Sequence, residues 1–478
     1  MTTEAFLQRR ARLAERMAAM GGGVAVLFTA PEVARNRDSD YPYRHDSYFH
    51  YLTAFGEPEA ALVMVVEPGR ARAILFCRSK NEEREIWDGF RFGPAAARRR
   101  FGFDEAYPID ELDARMPALL ANRPAIFHAL SADEALDARL RAWLGAARAQ
   151  ARAGVSAPAR AHDLLHVLDE MRLIKDADEI ATMKHSAAIA ADAHCRAMRA
   201  TRPGMYEYEI EAEILHEFHR RGAPSPAYGS IVAGGGNACV LHYRENDARL
   251  KSGDLLLIDA GCEYQGYASD ITRTFPVNGR FGGAQRELYE IVLAAQRAAE
   301  LATRPGKRFD EPHEAAVRVL AQGMLDCKLL RGSLAGVLES GAYRRFYMHR
   351  TGHWLGRDVH DCGDYREAGD ERVAPIAPPR PARPARAAAA AKAAPARARA
   401  ATKPAAPAPR PWRKLAAGMV VTIEPGIYVR AADDVPKAYH DIGIRIEDDA
   451  LLTARGCELI TSGVPKACDD IEALMRDA

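Results

Sequence analysis

The sequence predicts two domains of different fold class, an α/β domain over residues 1–168 and an α+β domain over residues 169–478. Two observations along the chain predict this division. Short apolar runs alternate with helical patterns up to about residue 161, whereas later strand-like runs are grouped and the helices are separate from them. The length of 478 residues also exceeds what one hydrophobic core usually organises.

The first domain begins with a charged, periodic segment over residues 1–20, which has helical spacing. Three apolar runs bounded by glycine, proline or charge then have the pattern of buried strands in a mixed sheet; they are residues 23–28, 61–66 and 73–76. Helical patterns follow at residues 110–120 and 132–147. This alternation is what predicts the α/β class.

The second domain opens at Asp176, which is followed three residues later by Glu179, a spacing typical of a helix capping box. We expect this helix to end at about residue 201, because Pro203 and Gly204 come next. Further helices are expected over residues 207–221, 285–303 and 311–327. Strands are expected over residues 255–259, 271–277, 419–424 and 443–447.

The charge balance excludes some classes of function. Lysine plus arginine is 66 and aspartate plus glutamate is 65, so the formal net charge is +1. This balance argues against a nucleic-acid coat protein and against a protein that attracts acidic substrates through bulk charge. The 48% hydrophobic content argues against global disorder.

The cysteines and the apolar runs indicate the compartment. Eight cysteines are scattered without a C-x-x-C pair, which fits neither a zinc finger nor a disulfide scaffold and favours a reducing environment. No apolar run approaches the about 18 residues that a membrane span needs. Glu4 and Glu15 argue against a transit peptide. We therefore expect a cytoplasmic protein without a membrane segment.

Residues 373–413 form a low-complexity insertion inside the second domain. They contain nine lysines or arginines, no aspartate or glutamate, and many alanines and prolines. Such a stretch cannot build a core, so we expect it to be disordered or partly polyproline-like. A solvated loop is the favoured interpretation, and a basic arm for an anionic partner such as RNA is the alternative.

Two aspartates lie at the ends of a predicted hairpin. Asp259 ends an apolar strand, Asp270 starts the next, and Gly266 lies in the polar turn between them. A two-residue turn pairs positions whose numbers sum to an odd value, so both side chains fall on one face. Two carboxylates side by side repel each other unless cations compensate. No lysine or arginine flanks Asp259, so a metal ion is the expected compensator.

Three histidines form a dense cluster with glycines, namely His349, His353 and His360. The H-E-x-x-H glutamate of zincins is missing, and the glycines favour a loop over a helix. A single histidine is usually structural, but three beside glycines favour a functional site.

Two glutamates complete the candidate set. Glu424 ends an apolar strand before Pro425 and Gly426, as Asp259 ends its own strand. Glu447 lies on the polar face of an alternating strand beside Arg445, where a structural Arg–Glu pair is an equally good interpretation.

These side chains have the composition of a metal site. Oxygen-rich ligands with one imidazole suit Mn²⁺ or a similar divalent ion better than a structural zinc. Four carboxylates exceed what one divalent ion neutralises, so two ions fit. A two-metal site generates hydroxide and polarises a carbonyl, which is hydrolase chemistry. The candidate ligands are Asp259, Asp270, His353, Glu424 and Glu447.

The motifs around these residues resemble those of the pita-bread metallopeptidases: D-A-G, S-D-I-T-R-T, G-H-W-L-G, E-P-G and G-I-R-I-E-D-D. Residues 38–44, 49–60 and 85–87 are similar to the N-terminal half of the aminopeptidase P family. Apart from the insertion, the resemblance covers nearly the whole chain. It implies a pita-bread catalytic domain, two Mn²⁺ ions per subunit and peptide substrates with a penultimate proline.

The resemblance also assigns the ligands. Asp270 and Glu447 would bridge the two ions. Asp259 would complete one ion, and His353 with Glu424 the other. A bridging water or hydroxide would attack the carbonyl before proline, with Glu424 also serving as its general base.

Four further residues would act around the scissile bond by the same resemblance. His242 would contact the scissile group. His349 and His360 would stabilise the tetrahedral oxygen and the residue after the cut. Arg445 would orient the ligands.

Substrate contacts are implied more weakly. Asp38, Tyr228 and Tyr428 correspond to substrate-channel or outer positions of the family. In relatives a tryptophan like Trp87 comes from a neighbouring subunit, which implies a homodimer or homotetramer.

The leading interpretation is an aminopeptidase that releases the residue before proline, and the close alternative is prolidase, a dipeptidase with the same ligands. A non-catalytic binding protein that uses the basic insertion is disfavoured, because all five ligands are present. Two departures from the family pattern affect the pocket. Arg350 and Thr351 stand where relatives carry smaller residues, and the insertion lies between His360 and Glu424.

Overall fold

The computed structural model describes residues 2–367 and 410–477. The predicted insertion, residues 373–413, therefore lies outside the described residues except for its last four positions. Those positions are paired with the chain that precedes the gap. The amide of Glu367 donates to the carbonyl of Pro411 at 2.9 Å, and the amide of Arg413 donates to the carbonyl of Tyr365 at 2.9 Å.

A six-stranded sheet organises the N-terminal part, in the order β4-β3-β2-β1-β5-β6. Its strands are β1 Gly23–Phe28, β2 Ala61–Glu67, β3 Arg70–Cys77, β4 Glu105–Pro108, β5 Ala125–His128 and β6 Arg160–Asp163. β1, β2 and β3 are antiparallel, whereas β4 joins β3, β5 joins β1 and β6 joins β5 in parallel. The predicted mixed sheet is confirmed.

Helices cover both faces of this sheet. On one face they are α1 Thr3–Ala19, α2 Ser47–Thr53 and α4 Gly93–Phe101, and on the other α5 Leu112–Leu120 and α6 Glu134–Ala149. The short helix α3 Glu82–Asp88 has no buried residue. Alternate residues of β1 belong to separate apolar clusters, with Ala25 and Leu27 in one and Val24 and Val26 in the other. A strand buried on both faces is apolar at every position, which explains the continuous run in the sequence.

Three helices connect the two parts of the chain: α7 Leu164–Arg172, α8 Ala177–Ala200 and α9 Glu207–Arg220. The capping box at the start of α8 is confirmed. The Asp176 side chain accepts from the amide of Glu179, and the Glu179 side chain accepts from the amide of Asp176, each at 2.9 Å. The expected boundary at 168/169 lies inside α7 and stays a prediction.

Small antiparallel sheets and separate helices form the C-terminal part, which confirms the α+β class. The strands are β7 Ser225–Pro226, β8 Ile231–Gly234, β9 Leu255–Asp259, β10 Cys262–Tyr264, β11 Tyr267–Ala268, β12 Thr272–Pro276, β13 Val420–Ile423, β14 Gly426–Val429, β15 Ile442–Arg445, β16 Asp448–Leu452 and β17 Cys457–Leu459. The helices are α10 Gly283–Ala302, α11 Glu311–Asp326, α12 Leu334–Ser340 and α13 Cys468–Arg476. The sheet orders are β12-β9-β8, β11-β10-β7, β13-β16-β17 and β14-β15.

The hairpin from β9 to β12 has the predicted register. Tyr264 pairs with Tyr267 across a two-residue turn, and Asp259 pairs with Thr272. Gln265 and Gly266 in the turn both have positive φ, at 50° and 75°, as a type I′ turn requires. Asp270 lies two positions before Thr272, so its side chain points to the same face as that of Asp259.

Within the described residues, no helix is both long enough and apolar enough to cross a bilayer.

Candidate metal centre

Asp259 and Asp270 meet through the hydroxyl of Tyr228. That oxygen lies 2.6 Å from Asp259 Oδ1 and 2.5 Å from Asp270 Oδ1. Because one hydroxyl carries one hydrogen, it can donate to only one of the two carboxylates at a time. Burial, together with the Asp259 charge, raises the pKa of Asp270. The pair therefore favours an additional proton or a cation between its members.

Arg445 is the cation that the sequence argument did not find for Asp259. Its Nη2 lies 2.6 Å from Asp259 Oδ2, and its Nη1 donates to the Tyr428 hydroxyl at 2.9 Å. No lysine or arginine flanks Asp259 in the sequence, but Arg445 reaches it from another strand, and the metal ion expected as compensator stays a prediction. Among the described residues, Arg445 forms its ion pair with Asp259 and not with Glu447.

Glu447 lies between β15 and β16 and is fixed by Thr272. Its amide donates to the Thr272 carbonyl at 3.0 Å, and the Thr272 hydroxyl donates to Glu447 Oε2 at 2.6 Å. The same hydroxyl lies 3.2 Å from Nε of Arg445. Sequence analysis did not single out Thr272, although its even spacing from Asp270 places it on the same face of the strand.

His353 lies between Asp270 and Glu424. His353 Nε2 lies 3.5 Å from Asp270 Oδ2 and 4.0 Å from Glu424 Oε1. The Thr422 hydroxyl accepts from the His353 amide at 3.1 Å, so β13 fixes the histidine loop. A Cβ on Gly352 would lie 2.1 Å from the Thr422 carbonyl oxygen, so only glycine allows this close approach.

The charge of the cluster fits a divalent ion. Burial raises the pKa of Glu424 to about 7 and that of Glu447 well above its ordinary value, and the carboxylates strengthen this effect on each other. The pKa of His353 is raised to about 9, because Asp270 and Glu424 outweigh its burial. Donor atoms of Asp270, His353 and Glu447 all lie within 4.8 Å of one another. A cation among them would relieve this buried negative charge.

The three other candidate histidines border the same cluster. His349 Nε2 lies 2.8 Å from the Tyr428 hydroxyl, and its Nδ1 lies 2.7 Å from the Arg350 carbonyl. The His360 ring lies 4.3 Å from that of His353, edge to face. His242 is exposed, and its charge is among those that lower the pKa of His349 and of His360, after burial as the main cause.

Arg350 contacts an aromatic side chain from the last positions of the insertion. Its guanidinium lies over the Trp412 ring at 4.5 Å, and it lines a cavity together with His313 and Leu415. The effect of Arg350 on the substrate pocket stays a prediction. The adjacent Thr351 has a structural role, since its carbonyl accepts from the Glu424 amide at 2.9 Å.

Two predicted substrate residues lie apart from the cluster in this chain. Asp38 is exposed, and its amide donates to the Asn36 side chain at 3.4 Å. Trp87 is 81% exposed on α3, next to Ile86, which is also 81% exposed. Neither residue contacts the five candidate ligands.

Comparison with known families decides what this arrangement is. The model of metallopeptidase family M24 matches residues 181–454, which contain all five candidate ligands. The chain belongs to this family. The aminopeptidase P N-terminal domain model matches residues 6–127 in addition.

The M24 relatives match nearly the whole chain. The Xaa-Pro aminopeptidase of Haemophilus influenzae is 41% identical over 99% of this chain and 97% of its own length. That of Escherichia coli is 40% identical over 99% of this chain and 98% of its own. Family M24 comprises metallopeptidases, so the family implies use of a divalent metal and peptide substrates.

Solved structures of M24 members have the same fold. Aminopeptidase PepP of Pseudomonas aeruginosa has a TM-score of 0.89 and 44% identity, covering 100% of this chain and 98% of that one. A zinc-substituted aminopeptidase P of Escherichia coli in complex with product has a TM-score of 0.88 and 40% identity, covering 100% and 99%. The C-terminal part therefore has the pita-bread fold, as the motifs predicted.

Proposed function

We propose that this M24 member is an aminopeptidase that hydrolyses the bond between an N-terminal residue and a penultimate proline. The convergence of Asp270, His353 and Glu447, whose donor atoms lie within 4.8 Å of one another, carries the proposal, because such a donor set has no use in an apolar core. Asp259 adjoins this group through the Tyr228 hydroxyl, and Glu424 lies 4.0 Å from His353. The relatives that match along their whole length are Xaa-Pro aminopeptidases, which supports the proline specificity.

We propose two divalent ions, with Mn²⁺ as the native metal, because the donors are hard oxygens with one nitrogen. Asp270 and Glu447 would bridge the ions, Asp259 would complete one site, and His353 with Glu424 the other. When bound, the ions would lower the pKa of a water ligand and polarise the scissile carbonyl.

Glu424 is the proposed general base. Burial raises its pKa to about 7, so the carboxylate can accept a proton near neutral pH. Its amide is fixed by the Thr351 carbonyl at 2.9 Å, which holds the side chain at the edge of the cluster. The Glu424 carboxylate would accept a proton from the attacking water and then donate that proton to the leaving amine.

The histidines are proposed to contact the substrate in neutral form. Burial, followed by nearby charges, lowers the pKa of His349 to about 3 and lowers that of His360. A neutral imidazole can donate to an oxygen on which negative charge develops. Both ring nitrogens of His349 already have protein partners, so it must release one to bind substrate. His242 is exposed and can contact the scissile group without such a change.

Arg445 is proposed to orient Asp259 and, through Tyr428, His349. The chain of contacts runs from Asp259 to Arg445 at 2.6 Å, to the Tyr428 hydroxyl at 2.9 Å and to His349 at 2.8 Å. Tyr228 would orient Asp259 and Asp270 relative to each other, because its hydroxyl contacts both carboxylates.

We also propose a homodimer or homotetramer in which Trp87 of one copy reaches the site of another. Trp87, Ile86 and Phe90 are 81%, 81% and 65% exposed, which is unusual for large apolar side chains on one short segment. Asp38 is proposed as a substrate contact in that assembly. All eight cysteines are free, which supports a reducing compartment such as the cytoplasm.

Two other functions remain as outcomes to test. Prolidase activity would use the same ligands, but the matched relatives are Xaa-Pro aminopeptidases. RNA binding by the basic insertion would appear as a salt-dependent mobility shift that is lost on deleting residues 373–413.

The test removes metal with a chelator, restores Mn²⁺ and follows peptides by mass spectrometry. We expect metal-dependent release of the first residue from a tripeptide with proline second, and none from the matched tripeptide with alanine second. Cleavage of the Xaa-Pro dipeptide alone would move the assignment to prolidase. Intact peptides with metal demonstrably bound would contradict the proposed function.

A further inference from the structure

His360 lies on an irregular loop, residues 357–363, and no strand or helix fixes its ring. Two aspartates flank it, Asp358 and Asp361. Both are bound by cations from the segment that joins the two parts of the chain. The contacts of these aspartates therefore hold the loop on both sides of His360, whose ring also packs against that of His353.

Asp361 anchors one end of the loop from inside the protein. Its Oδ1 lies 2.6 Å from Arg172 Nη2 and its Oδ2 lies 2.8 Å from Lys175 Nζ, with all three side chains 1% exposed. Burial raises the pKa of Asp361, but Lys175 and Arg172 outweigh it and keep the pKa below the ordinary value. A Cβ on Gly356 would lie 2.2 Å from Asp361 Oδ2, so the loop packs tightly around this carboxylate.

Asp358 ties the other end of the loop to the N-terminal part. Its Oδ1 accepts from the Ser47 hydroxyl at 2.6 Å, at the first residue of α2. Its Oδ2 lies 2.7 Å from Arg172 Nη2. The next residue of α2, Tyr48, places its ring 4.4 Å from the Arg172 guanidinium carbon. α2 therefore contacts the loop directly through Ser47, and also through His50, whose Nδ1 lies 2.7 Å from Arg357 Nη2. It contacts the loop indirectly through Tyr48 and Arg172.

We propose that Ser47 and Asp358 are positioning residues for His360, through which the N-terminal part sets the geometry of the catalytic site. This inference rests on the proposed function, in which His360 contacts the substrate. A displacement of about 1 Å of such a group can cost about a hundredfold in rate. The Ser47 bond to Asp358 is one hydroxyl–carboxylate contact, so it can be removed without emptying the core, while Arg44 and His50 keep their contacts with residues 357 and 358.

The test is a double-mutant cycle on kcat/KM for a tripeptide with proline second, in the Mn²⁺-loaded full chain. Ser47→Ala should lower kcat/KM about tenfold in the parent enzyme. In a His360→Ala background the same change should have no further effect, because its target is already missing. Asp358→Asn should behave in the same way.

A structural role would give a different pattern. If Ser47→Ala lowered kcat/KM equally in both backgrounds, or in neither, the inference would be overturned. Glu458→Gln is the matched control, since it removes a partly exposed pair with Lys184 that lies outside the site, and it should leave kcat/KM unchanged.

Amide hydrogen exchange provides a readout that does not depend on activity. Ser47→Ala should speed exchange in residues 357–363 and not in the β9–β12 hairpin. Unchanged exchange in the loop would overturn the positioning role even in an inactive protein. If the parent protein did not cleave the tripeptide but Ser47→Ala still exchanged faster in the loop, the proposed function would be contradicted and the positioning role would not.

Discussion

The guanidinium of Arg445 lies 2.6 Å from the carboxylate of Asp259, across 186 positions of the chain. The two side chains are 5% and 13% exposed. Together with His353, whose pKa is raised to about 9, Arg445 offsets the negative charge of the clustered carboxylates. Its removal should therefore have a larger effect than the loss of a surface ion pair.

Arg445→Ala should destabilise the metal-free protein by about 3–5 kcal/mol, because it leaves a buried carboxylate without its partner. The measurement is urea unfolding in chelator. Arg345→Ala is the matched control, because its pair with Asp434 is 45% and 65% exposed and should contribute about 0–1 kcal/mol. Equal effects of the two changes would contradict the structural role of Arg445.

Glu424→Gln should lower kcat about 10²–10⁴-fold, since an amide cannot accept a proton from water. The stability of the metal-free protein should not fall, because burial already raises the pKa of Glu424 to about 7 and a neutral group suits the site. Steady-state kinetics measure the expected fall in kcat, and thermal unfolding of the metal-free protein measures the expected retention of stability. Retained activity would exclude Glu424 as the general base.

Restoring Mn²⁺ to the chelated protein should raise its thermal midpoint, since a ligand that binds only the folded state stabilises it. The gain is about 2.7 kcal/mol at a free concentration of 100 times Kd. Asp270→Asn and Glu447→Gln should each abolish most of the gain, as these residues are the proposed bridging ligands. If a variant kept the full rise in thermal midpoint on adding Mn²⁺, the residue replaced in it would not be a metal ligand.

Stability should fall as the pH drops from about 6.5 towards 3, because of the stacked pair His45 and His50. Their rings lie 3.7 Å apart. Burial and then Arg357 lower the pKa of His45 to about 3 and lower the pKa of His50 well below its ordinary value. The unfolded chain binds protons at these sites in that window and the folded chain does not, so protonation favours unfolding.

Urea unfolding in chelator at pH 7.5 and 5.0 measures this dependence. His45→Gln removes one titrating group and should lose less stability between the two pH values than the parent does. An equal loss in both proteins would show that His45 does not titrate in this way.

Gly261→Ala should disrupt the hairpin that brings Asp259 and Asp270 together. The added Cβ would lie 1.7 Å from the carbonyl oxygen of Ser269, so the backbone must shift. We expect a loss of about 3 kcal/mol or more, together with weaker Mn²⁺ binding. Gly456→Ala is the control, because its Cβ would meet no atom within 4 Å. Wild-type behaviour of Gly261→Ala would contradict the tight packing.

The parts of the site that depend on local pairing could be predicted from the sequence. The shared face of Asp259 and Asp270 follows from a two-residue turn, which fixes the parity of the whole ladder. The capping box of Asp176 and Glu179 likewise depends on residues three positions apart. Such contacts are encoded within a few residues, so a pattern can reveal them.

The long-range contacts could not be predicted in this way. The sequence near Asp259 does not predict its contact with Arg445. The sequence near Asp358 likewise does not predict its contact with Ser47, which is 311 positions away. These pairs form because separate helices, strands and loops pack together. The hydrophobic periodicity of the sequence does not specify which polar side chains then come into contact. The five ligands could be named because their motifs resemble a family, whereas the contacts that hold them required coordinates.

The paired residues on either side of the gap have a practical consequence. Glu367 and Pro411, like Tyr365 and Arg413, are hydrogen-bonded to each other, so the chain departs and returns at one place. The cost of closing a loop between fixed ends grows only logarithmically with its length. A reporter domain or an affinity handle inserted between residues 367 and 410 would therefore have both of its ends held at one place. This position is therefore an internal insertion site at which the enzyme can be labelled away from both termini.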